Sequence, residues 1–304
     1  MDLQEVHIQF SEGQITILNF CLAYIMFGVA LELTLKDFAY VLNHKKSTLV
    51  GLFSQLVILP LLTLGLIWII KPVPGLALGM LLISVCPGGN VSNYAVYLAR
   101  GNVALSVVLT SISTITSSFQ TPFTFALLLY LLPKGMGTDF KEFSIPFVDM
   151  VTTVFTLMVI PLIAGMYFGA RYPDLKVKIL PWVKRSSLLL FSGIVVSGIF
   201  NNISQIQDYL HQVFYIVMMH NGLALLSGYI LAMVFTLPKG DARSISIETG
   251  IQNSGLALVL IFNFFDGMGS MALIAAWWSI WHLISALSLS LFWNYKDKKE
   301  NVVT

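Results

Sequence analysis

Long apolar stretches alternate with short polar connections along almost the whole chain. After a polar start at residues 1–14, each stretch is long enough to cross about 30 Å of hydrocarbon as a helix. The nine stretches lie at about 15–35, 47–70, 75–99, 103–132, 145–169, 186–203, 212–237, 244–265 and 271–294. They are continuously apolar rather than alternating in polarity, which disfavours membrane strands. The pattern predicts an all-α membrane protein with nine transmembrane helices.

The composition agrees with this prediction and excludes other classes of protein. Hydrophobic residues make up 57% of the 304 residues and charged residues only 11%, whereas roughly 25% of a typical soluble domain is charged. The net charge of +2, with no basic patch beside aromatic residues, excludes a nucleic-acid-binding protein. The zinc-binding pattern HExxH and the nucleophile elbow GxSxG do not occur in the sequence, so we expect no enzyme. No obligate protein partner is evident.

The distribution of basic residues predicts the orientation in the membrane. If the N-terminus is outside, only Lys71, Lys134 and Lys141 of the 17 basic residues lie on the outer side. The others lie in cytoplasmic connections and in the tail, as the positive-inside rule expects. Lys239 and Arg243, for example, fall in the connection before the eighth stretch.

The same reasoning predicts the organisation of the chain. We expect an outer N-terminal segment at 1–14, a transmembrane transporter domain at 15–294 and a cytoplasmic tail at 295–304. The longest predicted loop is the basic connection at about 170–185. The predicted location is the lipid bilayer of the plasma membrane, which in a bacterium is the inner membrane.

Two of the predicted helices are interrupted. The third stretch contains CPGGNVSN at 86–93, and the eighth contains ETGIQNSG at 248–255. Pro and Gly break helices, and the freed backbone groups must then face protein or a water-filled cavity. The breaks lie five stretches apart on helices of opposite direction, which predicts an inverted repeat. Paired breaks of this kind are the best sequence pointer to a transporter binding site.

Glu248 is the most informative single residue, because an ionisable group within a membrane helix costs at least about 2.5 kcal/mol and usually marks an ion or substrate path. The alternative is a shallow position from which its carboxylate reaches the interface. The neutral oxygen donors expected near it are Gln55, Ser92, Asn93, Ser106, Thr110 and Gln252.

One carboxylate among neutral oxygens suits a hard monovalent cation. Helix N-termini that follow the breaks would favour an anionic substrate. The residues alone therefore predict a cation-coupled transporter of a small organic anion. A passive channel is an alternative, and a proton could replace sodium as the coupling ion.

Four ordered motifs resemble the bile acid:sodium symporter family. They are CPGGNVSN, LARGNVALSVVLTSIST, IETGIQNSGLA and SIWHLIS, and the resemblance extends over about residues 20–294. It implies a core domain, in which two discontinuous helices cross, and a panel domain, with a cavity at their interface. The core would contain helices two to four and seven to nine, and the panel helices one, five and six.

The resemblance also implies two sodium sites that share Glu248. The first would use Ser92, Asn93, Ser106, Thr110 and Glu248. The second would use Gln55, Glu248, Gln252 and the backbone carbonyls of Thr249 and Ile251. The substrate anion would meet Asn90, Val91, Asn253 and His282, although Leu283 stands where bacterial members of the family usually have Asn.

These features predict a sodium-coupled secondary active symporter that imports a bile-acid-like organic anion by alternating access. The alternative is a sodium- or proton-coupled transporter of a smaller organic acid, such as pantoate or a keto acid. The many Phe and Met residues of the panel could accept a steroid but would equally serve helix packing. His220 either makes a hydrogen bond between helices or faces the cavity.

Overall fold

The computed structural model describes residues 11–34, 44–89, 91–132, 146–201 and 210–303, and within these ranges the regular secondary structure is helical. The α-helices in chain order are α1 (Glu12–Ala30), α2 (Lys45–Phe53), α3 (Leu59–Ile70), α4 (Pro74–Val85), α5 (Ser92–Leu98), α6 (Val103–Tyr130), α7 (Phe147–Val154), α8 (Ile160–Arg171), α9 (Pro173–Asn201), α10 (Leu210–Val234), α11 (Lys239–Gly250), α12 (Ser254–Phe264) and α13 (Gly269–Val303).

Six helical stretches of the described residues are long and apolar enough to cross a membrane. They are Glu12–Ala30, Lys45–Ile70, Val103–Tyr130, Phe147–Arg171, Val213–Val234 and Gly269–Lys299. Two shorter apolar helices, α4 and α12, belong to the interrupted stretches. The predicted class, an all-α membrane protein, is confirmed, whereas the number of nine spans stays a prediction.

The second apolar stretch widens into a π-helical turn, Ser54–Ile58, where α2 meets α3. Pro60 follows this turn. Proline has no N–H and its ring clashes with the carbonyl four residues earlier, which disfavours an ordinary α-turn. The N–H of Leu59 instead donates to the carbonyl of Ser54, five residues back. Such turns often occur at functional sites, and this one carries Gln55. A second turn of the same kind, Phe155–Val159, joins α7 to α8.

Several pairs of helices pack closely along their length. Helix α1 lies against α8 and α9, while α10 lies along α11, and α13 packs against α4, α10 and α12. Two glycines allow α8 to approach α1 closely: a Cβ on Gly165 would lie 2.5 Å from the carbonyl oxygen of Phe27, and one on Gly169 would lie 2.8 Å from that of Leu31. Every residue of α4 is buried, as expected for a helix that is apolar on all sides.

Several helices extend beyond the apolar stretches that predicted them. The basic segment 170–185, predicted as a loop, is mostly the first part of α9, which begins at Pro173. Helix α11 begins at Lys239, and α13 continues past residue 294 to Val303. Hydropathy marks the apolar part of a helix rather than its ends. Proline is well suited to the first helical position, and Lys and Leu favour helix formation.

Candidate functional site

The two interrupted stretches meet at their breaks. The segment between α4 and α5 and the segment between α11 and α12 pair antiparallel at Gly88 and Gln252. The N–H of Gly89 donates to the carbonyl of Ile251 over 3.0 Å, and the N–H of Asn253 donates to that of Pro87 over 2.8 Å. Each break thus satisfies backbone groups of the other, as a low-dielectric environment requires.

Glu248 lies on α11 beside this crossing, and its side chain is only 1% exposed. The hydroxyls of Ser92 and Ser106 donate to its Oε1. The Thr110 hydroxyl lies 3.0 Å from Oε1 and 2.9 Å from Oε2. The side chain therefore contacts α5 and α6 and is enclosed by the protein rather than exposed at its surface.

The hydroxyl groups around Glu248 have few protons to donate. The neighbouring oxygens have more lone pairs than these protons can satisfy. Ser106 Oγ lies 2.8 Å from Asn93 Oδ1 as well as next to Glu248, but it has only one proton to donate. Ser92 and Thr110 have one proton each, and their oxygens lie 3.3 Å apart. Carboxylate, amide and hydroxyl oxygens all offer further lone pairs. The four residues predicted as the first cation site, together with Glu248, thus form one connected, electron-rich cluster.

Two amide side chains lie on the other side of Glu248. Gln55 Nε2 donates to the Glu248 carbonyl over 3.2 Å, and Gln252 Nε2 donates to the Thr249 carbonyl over 2.9 Å. The Oε1 atoms of both glutamines are buried and have no hydrogen-bond partner among the described residues. A buried acceptor without a partner is unfavourable by about 1–3 kcal/mol. This orphaned pair of oxygens fits a cation that the structure does not contain.

Gly88 is the point where the two groups of oxygens meet. A Cβ at this position would lie 2.7 Å from Gln55 Nε2 and 2.9 Å from Glu248 Oε2. The Gly88 N–H donates to Ser113 Oγ over 3.2 Å. Ser113 is not among the predicted oxygen donors, although its regular spacing from Ser106 and Thr110 on α6 places it on the same helical face.

The backbone carbonyls predicted for the second cation site are both engaged. The Ile251 carbonyl accepts from Gly89, and the Thr249 carbonyl accepts from Gln252. A carbonyl oxygen has two lone pairs, so each retains one for a further ligand. The Thr249 hydroxyl, which donates to the Ile245 carbonyl, also accepts from Ser54 over 2.8 Å and ties α11 to the π-helical turn.

The predicted substrate residues are only partly brought together. Asn253 caps α12: its Oδ1 accepts from the Leu256 N–H over 3.0 Å. Val91 is 41% exposed at the start of α5. His282 is buried on α13, and its Nδ1 has no hydrogen-bond partner among the described residues. Its backbone carbonyl accepts from the Ser285 hydroxyl, and none of its described hydrogen bonds reaches the Glu248 cluster. Asn90 lies outside the described residues.

His220 makes the predicted hydrogen bond between helices. Its Nε2 lies 2.6 Å from Thr63 Oγ1, which links α10 to α3. Its ring packs edge-on against Trp278, with 4.9 Å between the ring centroids. His220 thus joins helices on the side of α10 that faces α3 and α13.

A small cleft opens beside the cluster, between α1, α6 and α8. Its wall includes Met26, Leu162, Asn93, Thr110 and Thr114. Apolar side chains from α1 and α8 face polar side chains from α5 and α6. The cleft is about large enough for a single water molecule.

A family model and several known proteins are similar to this chain. The family model described as "Sodium Bile acid symporter family" matches residues 19–209. An "Uncharacterized sodium-dependent transporter YocS" of Bacillus subtilis (strain 168) is 32% identical over 284 residues, which cover 92% of this chain and 83% of the relative.

Plant proteins are similar as well. A "Probable sodium/metabolite cotransporter BASS2, chloroplastic" of Oryza sativa subsp. japonica is 28% identical over 92% of this chain. A "Probable sodium/metabolite cotransporter BASS1, chloroplastic" of Arabidopsis thaliana is 28% identical over 90% of it. The aligned part spans 64% and 66% of these two plant relatives. The resemblance seen in the sequence motifs is confirmed: this chain belongs to the sodium bile acid symporter family, a family of transporters rather than enzymes.

Proposed function

We propose that this chain is a sodium-coupled symporter that imports a bile-acid-like organic anion across the plasma membrane by alternating access. One observation carries the proposal: a buried carboxylate is bonded by neutral hydroxyls, and the adjoining amides of Gln55 and Gln252 have buried oxygens without a hydrogen-bond partner among the described residues. A buried charge needs a compensating partner. A mobile cation would supply it here, and the relative in Bacillus subtilis is named as a sodium-dependent transporter.

The first sodium ion would bind among Ser92, Asn93, Ser106, Thr110 and Glu248. Sodium is a hard cation, and hard cations take oxygen ligands. Without the ion, the hydroxyls of Ser92 and Ser106 donate to Glu248. With the ion, they would rotate so that their lone pairs face the cation. Because hydroxyl rotation is a small movement, the cluster is preorganised for binding.

The second sodium ion would bind on the side of the glutamines. Its ligands would be the Oε1 atoms of Gln55 and Gln252, the carbonyls of Thr249 and Ile251, and Glu248. A Cβ on Gly88 would lie close to both Gln55 Nε2 and Glu248 Oε2, whereas Ser92 and Ser106 bond Oε1, which supports a shared role for the two carboxylate oxygens. One carboxylate would then serve two monovalent ions.

Sodium binding would be coupled to substrate binding through the paired breaks of the two interrupted stretches. The ligands of the two ions come from both interrupted stretches, so ion binding would hold the breaks together. Helices α5 and α12 begin at these breaks, and their N-terminal N–H groups carry a partial positive charge suited to an anion. We assign Asn90, Val91 and Asn253 to this anion site and His282 to a further substrate contact.

Alternating access would follow from the packing of the helices. The close contacts of α1 with α8 and α9 support a panel domain, and the packing of α4, α10, α11, α12 and α13 supports a core domain. Antiparallel pairing of the breaks supports an inverted repeat within nine spans. Rocking of the core against the panel would expose the site to each side in turn. We place the N-terminus outside and the C-terminus in the cytoplasm.

Uptake of labelled taurocholate into proteoliposomes tests the proposal. We expect uptake with an inward sodium gradient, little uptake when potassium replaces sodium, and loss of sodium-dependent uptake in Glu248→Gln. Glu12→Gln, which removes an exposed carboxylate in the first turn of α1, is the matched control and should transport normally.

The other outcomes of this experiment are equally informative. Sodium-dependent uptake that survives Glu248→Gln would contradict the assigned ion site. Taurocholate flux that ignores the sodium gradient would favour a channel. If the protein binds sodium but does not transport taurocholate, the bile-acid substrate is wrong, and pantoate uptake in the same vesicles tests the smaller organic acid.

A further inference from the structure

Arg243 is a buried cation at the far end of α11 from Glu248. Its side chain is 2% exposed, although Arg is rarely buried unless it is paired. Nη1 and Nη2 donate to Oδ2 and Oδ1 of Asp297 over 2.6 and 2.8 Å, which is a bidentate pair. Nη1 also donates to the Ala99 carbonyl over 2.7 Å. One guanidinium therefore binds both a fixed counter-charge and the end of another helix.

These bonds join three helices at one place. Ala99 is the C-cap of α5, Arg243 belongs to α11 and Asp297 belongs to α13. Asn294 Nδ2 donates to the Leu98 carbonyl over 2.9 Å, which provides a second bond between α13 and the end of α5. Asp297 lies beyond the last predicted apolar stretch, which ends at residue 294.

An aromatic contact holds the guanidinium from the other side. The Arg243 Cζ lies 5.5 Å from the centroid of the Trp293 ring. Trp293 in turn stacks on Tyr229 of α10, with 5.5 Å between ring centroids. Cation–π contact and bidentate hydrogen bonding both depend on the planar fork of Arg, which Lys does not have. The position of Arg243 is thus defined from several directions.

The two half-helices held by Arg243 also carry the ion site. Ser92, at the start of α5, bonds Glu248 near the end of α11. At the other ends of the same helices, Arg243 bonds Ala99. At a rise of about 1.5 Å per residue, these two attachments lie roughly 7–11 Å apart along the helices. The Ser92–Glu248 and Ala99–Arg243 bonds therefore fix the position of α11 along the axis of α5.

We propose that the Arg243–Asp297 pair positions Glu248 for sodium binding by fixing the register of α11 against α5. The inference rests on the proposed function, because it requires that Glu248 bind sodium. Arg243 and Asp297 are positioning residues: they hold the two half-helices so that the carboxylate meets the hydroxyls of Ser92 and Ser106.

Binding of ²²Na⁺ to purified protein in detergent tests this without any substrate. All variants are compared at equal amounts of monodisperse protein. A variant that yields less folded protein is then not mistaken for one with a lower sodium affinity. Arg243→Lys keeps the charge but loses the fork, and Asp297→Asn keeps the shape but loses the charge. We expect each to weaken ²²Na⁺ binding about tenfold, while Asp297→Glu, which retains the carboxylate, recovers most of the affinity.

Two controls make the experiment specific. Lys239 also pairs with Asp297, over 2.9 Å, but its side chain is 53% exposed, so Lys239→Gln should change the affinity less than about twofold because exposed pairs contribute little. The double variant Arg243→Lys, Asp297→Asn should bind sodium no more weakly than the weaker single variant, since the pair acts as a unit.

The possible failures are distinguishable. If Glu248→Gln binds ²²Na⁺ like the unchanged protein, the proposed function fails, and this inference fails with it. If Glu248→Gln loses binding while Arg243→Lys and Asp297→Asn retain full affinity, only the positioning role is wrong. Additive losses in the double variant would also overturn it. Should Asp297→Asn yield no monodisperse protein, Arg243→Lys alone decides.

Discussion

Three ionisable side chains are buried on helix α11, and two of them, Arg243 and Glu248, lie five residues apart with partners of different kinds. Arg243 has a fixed counter-charge in Asp297, with two hydrogen bonds of 2.6 and 2.8 Å. Glu248 is bonded by the neutral hydroxyls of Ser92, Ser106 and Thr110. Hydrogen bonds to neutral donors stabilise a carboxylate but do not cancel its charge.

The difference separates an ion pair that the chain completes by itself from a carboxylate that, under the proposed function, a cation completes. Both partners of the Arg243 pair belong to the chain. The oxygens around Glu248 offer surplus lone pairs, so the proposed sodium ion would supply its counter-charge there.

We expect the largest effect on transport from Gly88→Ala, which disturbs the surroundings of Glu248 and leaves those of Arg243 unchanged. The new Cβ would lie 2.7 Å from Gln55 Nε2 and 2.9 Å from Glu248 Oε2, both in buried side chains. Displacing a site by even 1 Å can lower the rate about 100-fold, so we expect sodium-dependent uptake to be almost lost. Gly65→Ala is the matched control, because a Cβ there meets nothing within 4 Å. Equal uptake by the two variants would show that the space at Gly88 is unimportant.

Ser106→Ala is expected to have the next largest effect. It removes one oxygen of the first proposed sodium site and one donor to Glu248. Because a hydrogen bond to a charged group contributes about 1.5–3 kcal/mol, the half-saturating sodium concentration should rise about tenfold or more. Ser117→Ala is the control: Ser117 is equally buried on α6, but its hydroxyl bonds the Thr114 carbonyl of its own helix. Sodium activation curves measure both variants, and matching shifts would count against the site.

Gln252→Leu tests whether two ions bind. It removes one of the two unpartnered oxygens near Glu248. We expect the Hill coefficient for sodium to fall from about two toward about one, since this coefficient cannot exceed the number of coupled sites. Gln120→Leu removes another unpartnered buried amide oxygen, on α6, and should leave cooperativity unchanged. A Hill coefficient near two in Gln252→Leu would remove Gln252 from the ion site.

The smallest effect on transport is expected from Ser54→Ala. Its hydroxyl lies 2.8 Å from Thr249 Oγ1 and joins the π-helical turn to α11, but it does not bond Glu248. Loss of this buried bond should lower the free energy of unfolding by about 1 kcal/mol. Thermal unfolding in detergent should therefore shift, while sodium affinity stays nearly unchanged. A large change in sodium affinity at unchanged thermal stability would extend the site to the π-helical turn.

Sequence reasoning succeeded where the signal was local. The breaks at 86–93 and 248–255 contain Pro and Gly residues, and these residues disfavour helix in any sequence context. Glu248 stands out because an ionisable residue within an apolar stretch is rare. Ser106 and Thr110, predicted from the sequence as oxygen donors near Glu248, both bond its carboxylate.

It was less successful where contacts join distant parts of the chain. Arg243 was predicted to lie in a connection because charge in a hydropathy pattern indicates the end of an apolar stretch. The structure instead buries it within α11 against Asp297, 54 positions away. The loop predicted at 170–185 is largely helix for a related reason: a basic segment can extend a helix without contributing to its apolar length.

Local residue chemistry was enough to predict an all-helical membrane protein with two interrupted helices and a carboxylate between neutral oxygens. Helix breaking and the cost of burying a charge are properties of each residue and its near neighbours. Tertiary packing alone decided that the breaks pair with each other, that Gln55 and Gln252 present unsatisfied oxygens beside Glu248, and that Arg243 finds its counter-charge on the last helix. Those contacts depend on how helices far apart in the chain lie together, which no local pattern encodes.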